Sequence, residues 1–504
     1  MKTKPISRVE RTAVLFAFAF ALGVEALSAQ GTSPPIGGAL PELPETRTPL
    51  VLSAVNDPTS GRGAFSFEGS EVPPVIRVSP GQKLRITYLN RMRVSSGEVC
   101  VDGPCTNMTN LHFHGLHISP ESPQDDVISM MAMPGESLRY TVDIPLNQPS
   151  GLYWYHTHPH GESYQQDLDG MSSAIVVEGI ERYVPELRKL KERILILRDA
   201  ELHQGDEVST HLEATVEIPR ASCGDATGDP TRIFTVNGTV RPKIAIAPGE
   251  KQFWRIVNAS PDLYADLIID SEEMTMVALD GMPLGYHDPD RPTESVRHVL
   301  LAPAGRLEAV VTGPPLGSKV SLRSLCINTG PDGDPNPAMV IADLDSTGRQ
   351  NASTRSKRSE ADFQKTVYRP LLSHDVQELE TSDAAFVVNF TEDKNGFYIN
   401  DKKYQPSDDP MVTVKTGKYV HWRVVNRTRE IHPFHIHQVH FLVYGTSGIS
   451  ISNPKWMDTV NVEPGQSLDL IMDFTDPIIR GISVFHCHLL KHEDKGMMAK
   501  IRFE

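Results

Sequence analysis

Apolar and polar residues alternate in short runs along most of the chain, and Pro or Gly closes each run. Val75–Val78, Lys83–Tyr88, Ser137–Ile144, Ile194–Leu197, Phe253–Val257 and His421–Val425 all follow this pattern. A period of two over so few residues predicts strands rather than helices. Pro-Gly turns feed such runs in three successive regions: Ser79-Pro80-Gly81-Gln82, Ala247-Pro248-Gly249-Glu250 and Glu463-Pro464-Gly465-Gln466. A softer echo accompanies them, since Leu84–Asn90, Phe253–Asn258 and Val420–Asn426 each run through apolar alternation to an asparagine. A pattern repeated in thirds predicts an all-β chain of three related β-sandwiches with little helix.

Length agrees with this reading. At 504 residues the chain is too long for one core, and about 150 residues per domain gives three. The expected boundaries are 45–180 for the first domain, 190–345 for the second and 365–504 for the third, with a polar linker at 346–364 (STGRQNASTRSKRSEADFQ). Another boundary is expected at Gly179–Lys191, and Gln30–Thr48, rich in Pro and Gly, reads as an extended lead-in. The N-terminus has the layout of an export signal: Lys2, Lys4, Arg8 and Arg11 precede an apolar run from Ala13 to Val24, then small residues up to Ala29. Residues 1–29 are therefore expected to be cleaved, leaving a periplasmic or extracellular protein with no stable membrane insertion. An uncleaved anchor is the alternative, against which the run is short of the roughly 20 residues of a bilayer span. The mature protein is expected to be a monomer. A net charge of −15 argues against a nucleic-acid partner.

Histidine changes the picture. Four of the chain's strand-like segments carry His-x-His: His112/His114, His156/His158, His435/His437 and His486/His488. With 19 histidines in the chain, chance supplies roughly one such pair. Residues i and i+2 of a strand share a face, so each segment presents two imidazoles side by side. Two pairs come from the first third and two from the last, so any cluster they form lies where the first and third domains meet. In His486-Cys487-His488 the cysteine must face away from the two histidines, toward a separate site. His432, His492 and Met497 are placed to join Cys487 there, and two imidazoles, a thiolate and a thioether make a blue-copper electron-transfer set. A structural zinc site would more naturally use further cysteines or histidines. Export permits disulfides. Cys100 and Cys105 bracket a short turn and could bridge, leaving Cys223 and Cys326 for a second bond, though four cysteines allow three connectivities.

These segments resemble the multicopper oxidase family, of the three-domain, laccase-like bacterial type. They stand here as His112-Phe113-His114-Gly115, His156-Thr157-His158, His432-Pro433-Phe434-His435-Ile436-His437, and His486-Cys487-His488 through His492 to Met497. Leu152-Tyr153-Trp154-Tyr155-His156 and Asp458-Thr459-Val460 also look like the family. The resemblance implies three cupredoxin-like Greek-key β-sandwiches and four copper ions. His432, Cys487, His492 and Met497 would hold the type 1 ion. His112 and His435 would hold the type 2 ion, and His114, His156, His158, His437, His486 and His488 the type 3 pair. It further implies one-electron oxidation of phenols, aromatic amines or similar donors, coupled to reduction of dioxygen to water. A metal oxidase acting on Cu(I), Fe(II) or Mn(II) is the alternative, and a non-catalytic copper-binding protein is a third.

Glu493 matches a family carboxylate proposed to relay protons to the cluster, and Asp125 one near the type 2 ion, with Asp126 competing for that place; the plainer reading makes them solvated loop acids. Glu430 either lies near the type 1 site, to take a hydrogen bond from a donor molecule, or belongs to a solvated face, the plainer reading. His117 and His160 read as neighbours of ligand segments or surface residues, His440 as a packed neighbour. Met130, Met131 and Met133 read as packing rather than a Cu(I) site. The middle domain is left as a spacer and a possible cleft wall.

Overall fold

The computed structural model describes residues 34–201, 232–347 and 377–504, apart from 59, 102, 271, 380 and 381. The expected signal segment and nearly all of the expected linker lie outside the described residues, as does Cys223. Each strand-like run read above falls within a strand, apart from Ile144 at the edge of its own: Val75–Val78, Lys83–Asn90, Ser137–Asp143, Lys191–Glu201, Lys251–Asn258 and Lys418–Asn426.

The strands form six principal sheets, two to each of three cupredoxin-like sandwiches. In the first, Leu50–Asn56 pairs parallel with Lys83–Asn90. Lys191–Glu201 pairs the same way with Lys251–Asn258, and Phe386–Asp393 with Lys418–Asn426. Parallel neighbours cannot be joined by a hairpin, so the chain crosses to the facing sheet before returning, which gives the Greek-key path.

The repeated asparagine has a structural reason. Asn90, Asn258 and Asn426 close the second strand of each parallel pair and are buried. Each side-chain oxygen accepts from the backbone two residues on: Met92, Ser260 and Thr428. Each amide donates to loop carbonyls, of Asn107 and Ala132, of Leu263 and Ala302, and of Glu430 and Val462. One side chain thus holds the loop that follows the strand, and in the third domain that loop carries Glu430 toward His432. Gly81, Gly249 and Gly465 all have positive φ at their turns, which favours glycine there.

The lead-in differs from a free extended segment. Ile36 and Ala39 bridge to Val240 and Lys243 of the second sandwich, and Glu45–Thr46 joins the first by pairing with Val75–Ile76. The first and second sandwiches also share an apolar junction, in which Leu152, Trp154 and Val176 pack with Ile196, Val257 and Ala304. Cys100 and Cys105 are bonded to each other, and Cys326 is also disulfide-bonded. No helix of the described residues is long and apolar enough to cross a membrane.

An Asn258→Ala variant strands two buried carbonyls and a buried N–H. Each such group costs about 1–3 kcal/mol, so a clear fall in the denaturant midpoint is expected, and an unchanged midpoint would refute this role.

Candidate metal centre

Strand register sets the site. His112 pairs with His156 and His114 with Trp154 across adjacent strands of the first domain. In the third domain His435 pairs with His486, and Phe434 with Cys487. Alternation sends Phe113 into the first core, and Phe434 and Cys487 into the third, while the histidines face the junction. There the two domains interleave their rings: His112 stacks on His437 at 3.7 Å and His114 on His435 at 3.9 Å. His156, His158, His486 and His488 complete the cluster, all buried.

The protons on these rings are held from outside the cluster. His435 Nδ1 lies 2.7 Å from the Asp458 carbonyl, His486 Nδ1 2.9 Å from the Cys487 carbonyl and His156 Nδ1 2.9 Å from the Thr157 carbonyl. His112 Nδ1 faces both oxygens of Asp125 at 3.0 and 3.1 Å. Each bond leaves the opposite nitrogen as a bare acceptor pointing inward. Nε2 of His112, His156 and His435, Nδ1 of His114 and His437, and both ring nitrogens of His488 are buried without a partner. Nε2 of His437 and of His158 lie 3.2 and 3.4 Å from Nε2 of His486. Converging lone pairs repel unless a cation sits among them, and burial prevents the rings from supplying that charge themselves. It pushes His158 down to about 3 and His435 to about 4. Groups of three donor atoms close enough for one ion occur at His112/His114/His156, His112/His435/His437 and His158/His437/His486. The donor chemistry fits copper held by neutral imidazole.

On the other face of the same strand, Cys487 Sγ lies 3.4 Å from His432 Nδ1 and 4.0 Å from His492 Nδ1. Met497 is buried in the same apolar cluster, and its carbonyl accepts from the Cys487 N–H at 3.0 Å. Burial raises the thiol's pKa, against the Leu489 N–H that donates to the sulfur, so a cation between the three donors is what would favour the thiolate. His432 is sealed, whereas the His492 side chain keeps 10% of its surface exposed.

Asp125 is buried and takes further bonds from the Phe113 N–H at 3.0 Å and Gln438 Nε2 at 2.7 Å. Asp126 instead caps the turn at Ile128 and Ser129, so Asp125 is the acid at the cluster. Glu493 is fully buried, its oxygens 3.1 Å from His486 Nδ1, 3.5 Å from His158 Nδ1 and 3.2 Å from Ser163 Oγ. Neither acid is solvated. Glu430, read more plainly as part of a solvated face, is also buried, with Oε1 3.6 Å from His492 Nε2. It lies inside because Asn426 holds its backbone carbonyl. His117 Nε2 meets His440 Nδ1 at 2.6 Å, and His160 packs its ring on Tyr404. Met130 packs in the first core, while Met133 is 44% exposed.

Sequence reasoning gave Asp458 and Arg306 no role. Asp458 lies 3.2 Å from His114 Nε2 and 3.5 Å from His440 Nε2, fully buried. Arg306, from the second domain, grips both its oxygens at 2.7 and 2.5 Å. Burial would raise the Asp458 carboxyl, but Arg306 holds it well below the usual range. The middle domain therefore supplies the countercharge for a ligand-orienting acid and is more than a spacer. A lone arginine opening the apolar strand Arg306–Thr312 was the available signal. Gly115, directly after His114, has φ +82°, and a Cβ there would fall 2.5 Å from Asp458 and 2.6 Å from Arg306.

Residues 54–182 and 376–504 match two family models, both described as multicopper oxidase. The chain is 25% identical to the multicopper oxidase mco of Staphylococcus haemolyticus, covering 87% of this chain and 83% of that protein. It is 26% identical to a laccase of Haloferax volcanii, over 95% and 88%. Among solved structures it is similar to a multicopper oxidase from Campylobacter jejuni described as a metallo-oxidase (TM-score 0.68, 22% identity, 94% and 96% covered). McoA from Aquifex aeolicus matches with TM-score 0.68 at 20% identity, over 93% and 99%.

Replacing Asp458 with Asn leaves buried Arg306 with only Asp280, at 3.7 Å, as countercharge, a loss of up to about 3–5 kcal/mol. The same change replaces the ionised acceptor on His114 with a neutral amide oxygen, so copper affinity should fall about 10–100-fold. Thermal unfolding with and without copper, and a chelator titration, measure the two effects. Full retention of both would refute the assignment.

Proposed function

The chain belongs to the multicopper oxidase family, and from that premise we propose that it is an exported, monomeric, laccase-like enzyme holding four copper ions. It would oxidise phenols, aromatic amines or similar one-electron donors at the expense of dioxygen. His432, Cys487, His492 and Met497 are the type 1 ligands. His112 and His435 are the type 2 ligands; His114, His156, His158, His437, His486 and His488 are the type 3 ligands. When bound, the copper ions supply one-electron acceptance at one site and four-electron reduction of dioxygen to two waters at the other.

The residues do the rest. The edge of His492 is where a donor molecule can touch the type 1 set. Cys487 is covalently joined to His486 and His488, and its own carbonyl accepts from His486 Nδ1. The two sites are thus linked by one residue's backbone and one hydrogen bond. Asp125 orients His112, Asp458 orients His114, and their burial excludes bulk water. Glu493 is placed to give protons toward the cluster, and burial raises its carboxyl above the ordinary range. The observation that carries this reading is the meeting of His432 Nδ1, Cys487 Sγ and His492 Nδ1 on the face opposite the eight histidines.

One feature favours oxidation of metal ions as a second reading. Glu430 and Glu392 lie beside His492 and His432; burial and the neighbouring Glu392 raise Glu430 to about 9, so the two acids share a proton that an arriving cation would displace.

Copper-loaded protein is expected to absorb in the visible as a blue site and to consume oxygen with a phenol or aromatic amine. Cys487→Ser should lose both, and a variant that stays blue would overturn the type 1 assignment. In a donor panel, Glu430→Gln should raise KM about tenfold for Fe(II) or Cu(I) if the metal-ion reading holds, equivalent to about 1.4 kcal/mol. An unchanged KM for those ions would leave the organic-donor reading alone.

A further inference from the structure

Two buried side chains of the second domain lie in the core of the third. Tyr264 and Ile327 belong to the apolar cluster that holds Phe434, Cys487 and Met497. A buried tyrosine hydroxyl needs an acceptor, and that of Tyr264 donates at 2.8 Å to the carbonyl of Ile431. The Ile431 N–H donates in turn to the Thr329 carbonyl at 2.9 Å. Both main-chain groups of the residue before His432 are therefore held by the second domain. The backbones come so close that a Cβ on Gly330 would run into the Arg429 carbonyl. The segment that leads to His492 is held from the same side. Its Leu490 N–H donates at 3.1 Å to the carbonyl of Pro261, in the loop that ends at Tyr264.

The holding loops are themselves braced. Buried Asn336 accepts from the Tyr264 N–H at 2.9 Å and donates to the Tyr264 carbonyl at 3.1 Å. Its own carbonyl accepts from the Ile327 N–H at 3.0 Å. Asn258 donates to the Leu263 carbonyl at 2.8 Å, one residue before Tyr264.

His432 needs such support more than the junction histidines do. His112, His156, His435 and His486 each have a hydrogen-bond partner on the ring nitrogen that faces away from the cluster. His432 Nε2 has no such partner, and its ring meets the edges of Phe390 and Phe397 instead. Apolar edges confine a ring without directing its lone pair. Two torsions join the imidazole to its backbone, so the direction of His432 Nδ1 depends on how the main chain is held.

We propose that Tyr264 is a positioning residue for the type 1 site. Its hydroxyl fixes the Ile431–His432 peptide and thereby sets His432 Nδ1 against Cys487 Sγ, 3.4 Å away. This rests on the type 1 reading of His432, Cys487, His492 and Met497.

Tyr264→Phe keeps the ring and removes only the hydroxyl. Blue absorption of the copper-loaded parent protein first establishes the type 1 site. In Tyr264→Phe the blue band should change in position or intensity, and a chelator titration followed at that band should show copper affinity about 10–100-fold lower. The remaining copper should be withdrawn as in the parent. Trp254→Phe is the control, because Trp254 is buried in the second domain's own core; it should lower the thermal midpoint and leave the blue band and its affinity unchanged. A Tyr264→Phe protein that behaves like this control makes the hydroxyl a docking contact alone and overturns the proposal. If Tyr264→Phe does not fold, Asn336→Ala releases the same loop: selective loss of the blue copper supports the proposal, and parent-like affinity at the blue band overturns it. A parent protein that takes up copper without turning blue sinks the type 1 reading and the proposal together, whereas a blue parent with a parent-like Tyr264→Phe sinks the proposal alone.

Discussion

Two residues apart on a strand share a face, and one residue apart they do not; the chemistry of this protein depends on that constraint. His486 and His488 look toward the junction of the end domains, and Cys487 between them looks back into the third core. One strand thereby borders two metal sites of different character, separated by the thickness of a backbone. The facing strand repeats the arrangement, with His435 on one side and His432 and Phe434 on the other. A register slip of one residue would exchange the contents of the two sites. The apolar residues that interleave with the ligands, Phe113, Phe434 and Phe485, are anchored in the cores and so hold the register.

Holding that many imidazoles together without their metal is an electrostatic burden, and the structure places the compensation on the outer nitrogens. Asp125, Asp458 and the carbonyls of Thr157, Cys487 and Asp458 each fix a ring proton on the side away from the cluster. The inner nitrogens are left as acceptors. Asp458 could not remain ionised alone in such a place. Arg306 makes it possible, and Arg306 is in turn held by the backbone carbonyl and side chain of Asp280. The second domain, which contributes none of the assigned ligands, is thus coupled to the cluster through buried charge.

How much of this could be read beforehand follows from the same physics. The strand runs, the threefold repeat and the paired histidines were legible because each is a local pattern with a fixed period. Even the closing asparagines were visible as an echo, although their function as loop clamps was not. Arg306 and Asp458 were not legible as a pair, since no period links positions 152 residues apart. Glu430 was misjudged for a related reason: two residues from a ligand it has no intrinsic claim to burial, and only Asn426 and the turn at Thr428 fold it inward. Asp126 and Asp125 look alike in sequence, and the difference is which of them the loop turns toward His112.

The surroundings of the two sites also explain their division of labour. Near Cys487 the acids are Glu430 and Glu392, beside His492 and His432, and burial together with Glu392 raises the Glu430 carboxyl to about 9. Around the histidine cluster the acids are sealed, and Asp125 and Glu493 are held above the ordinary carboxylate range chiefly by burial.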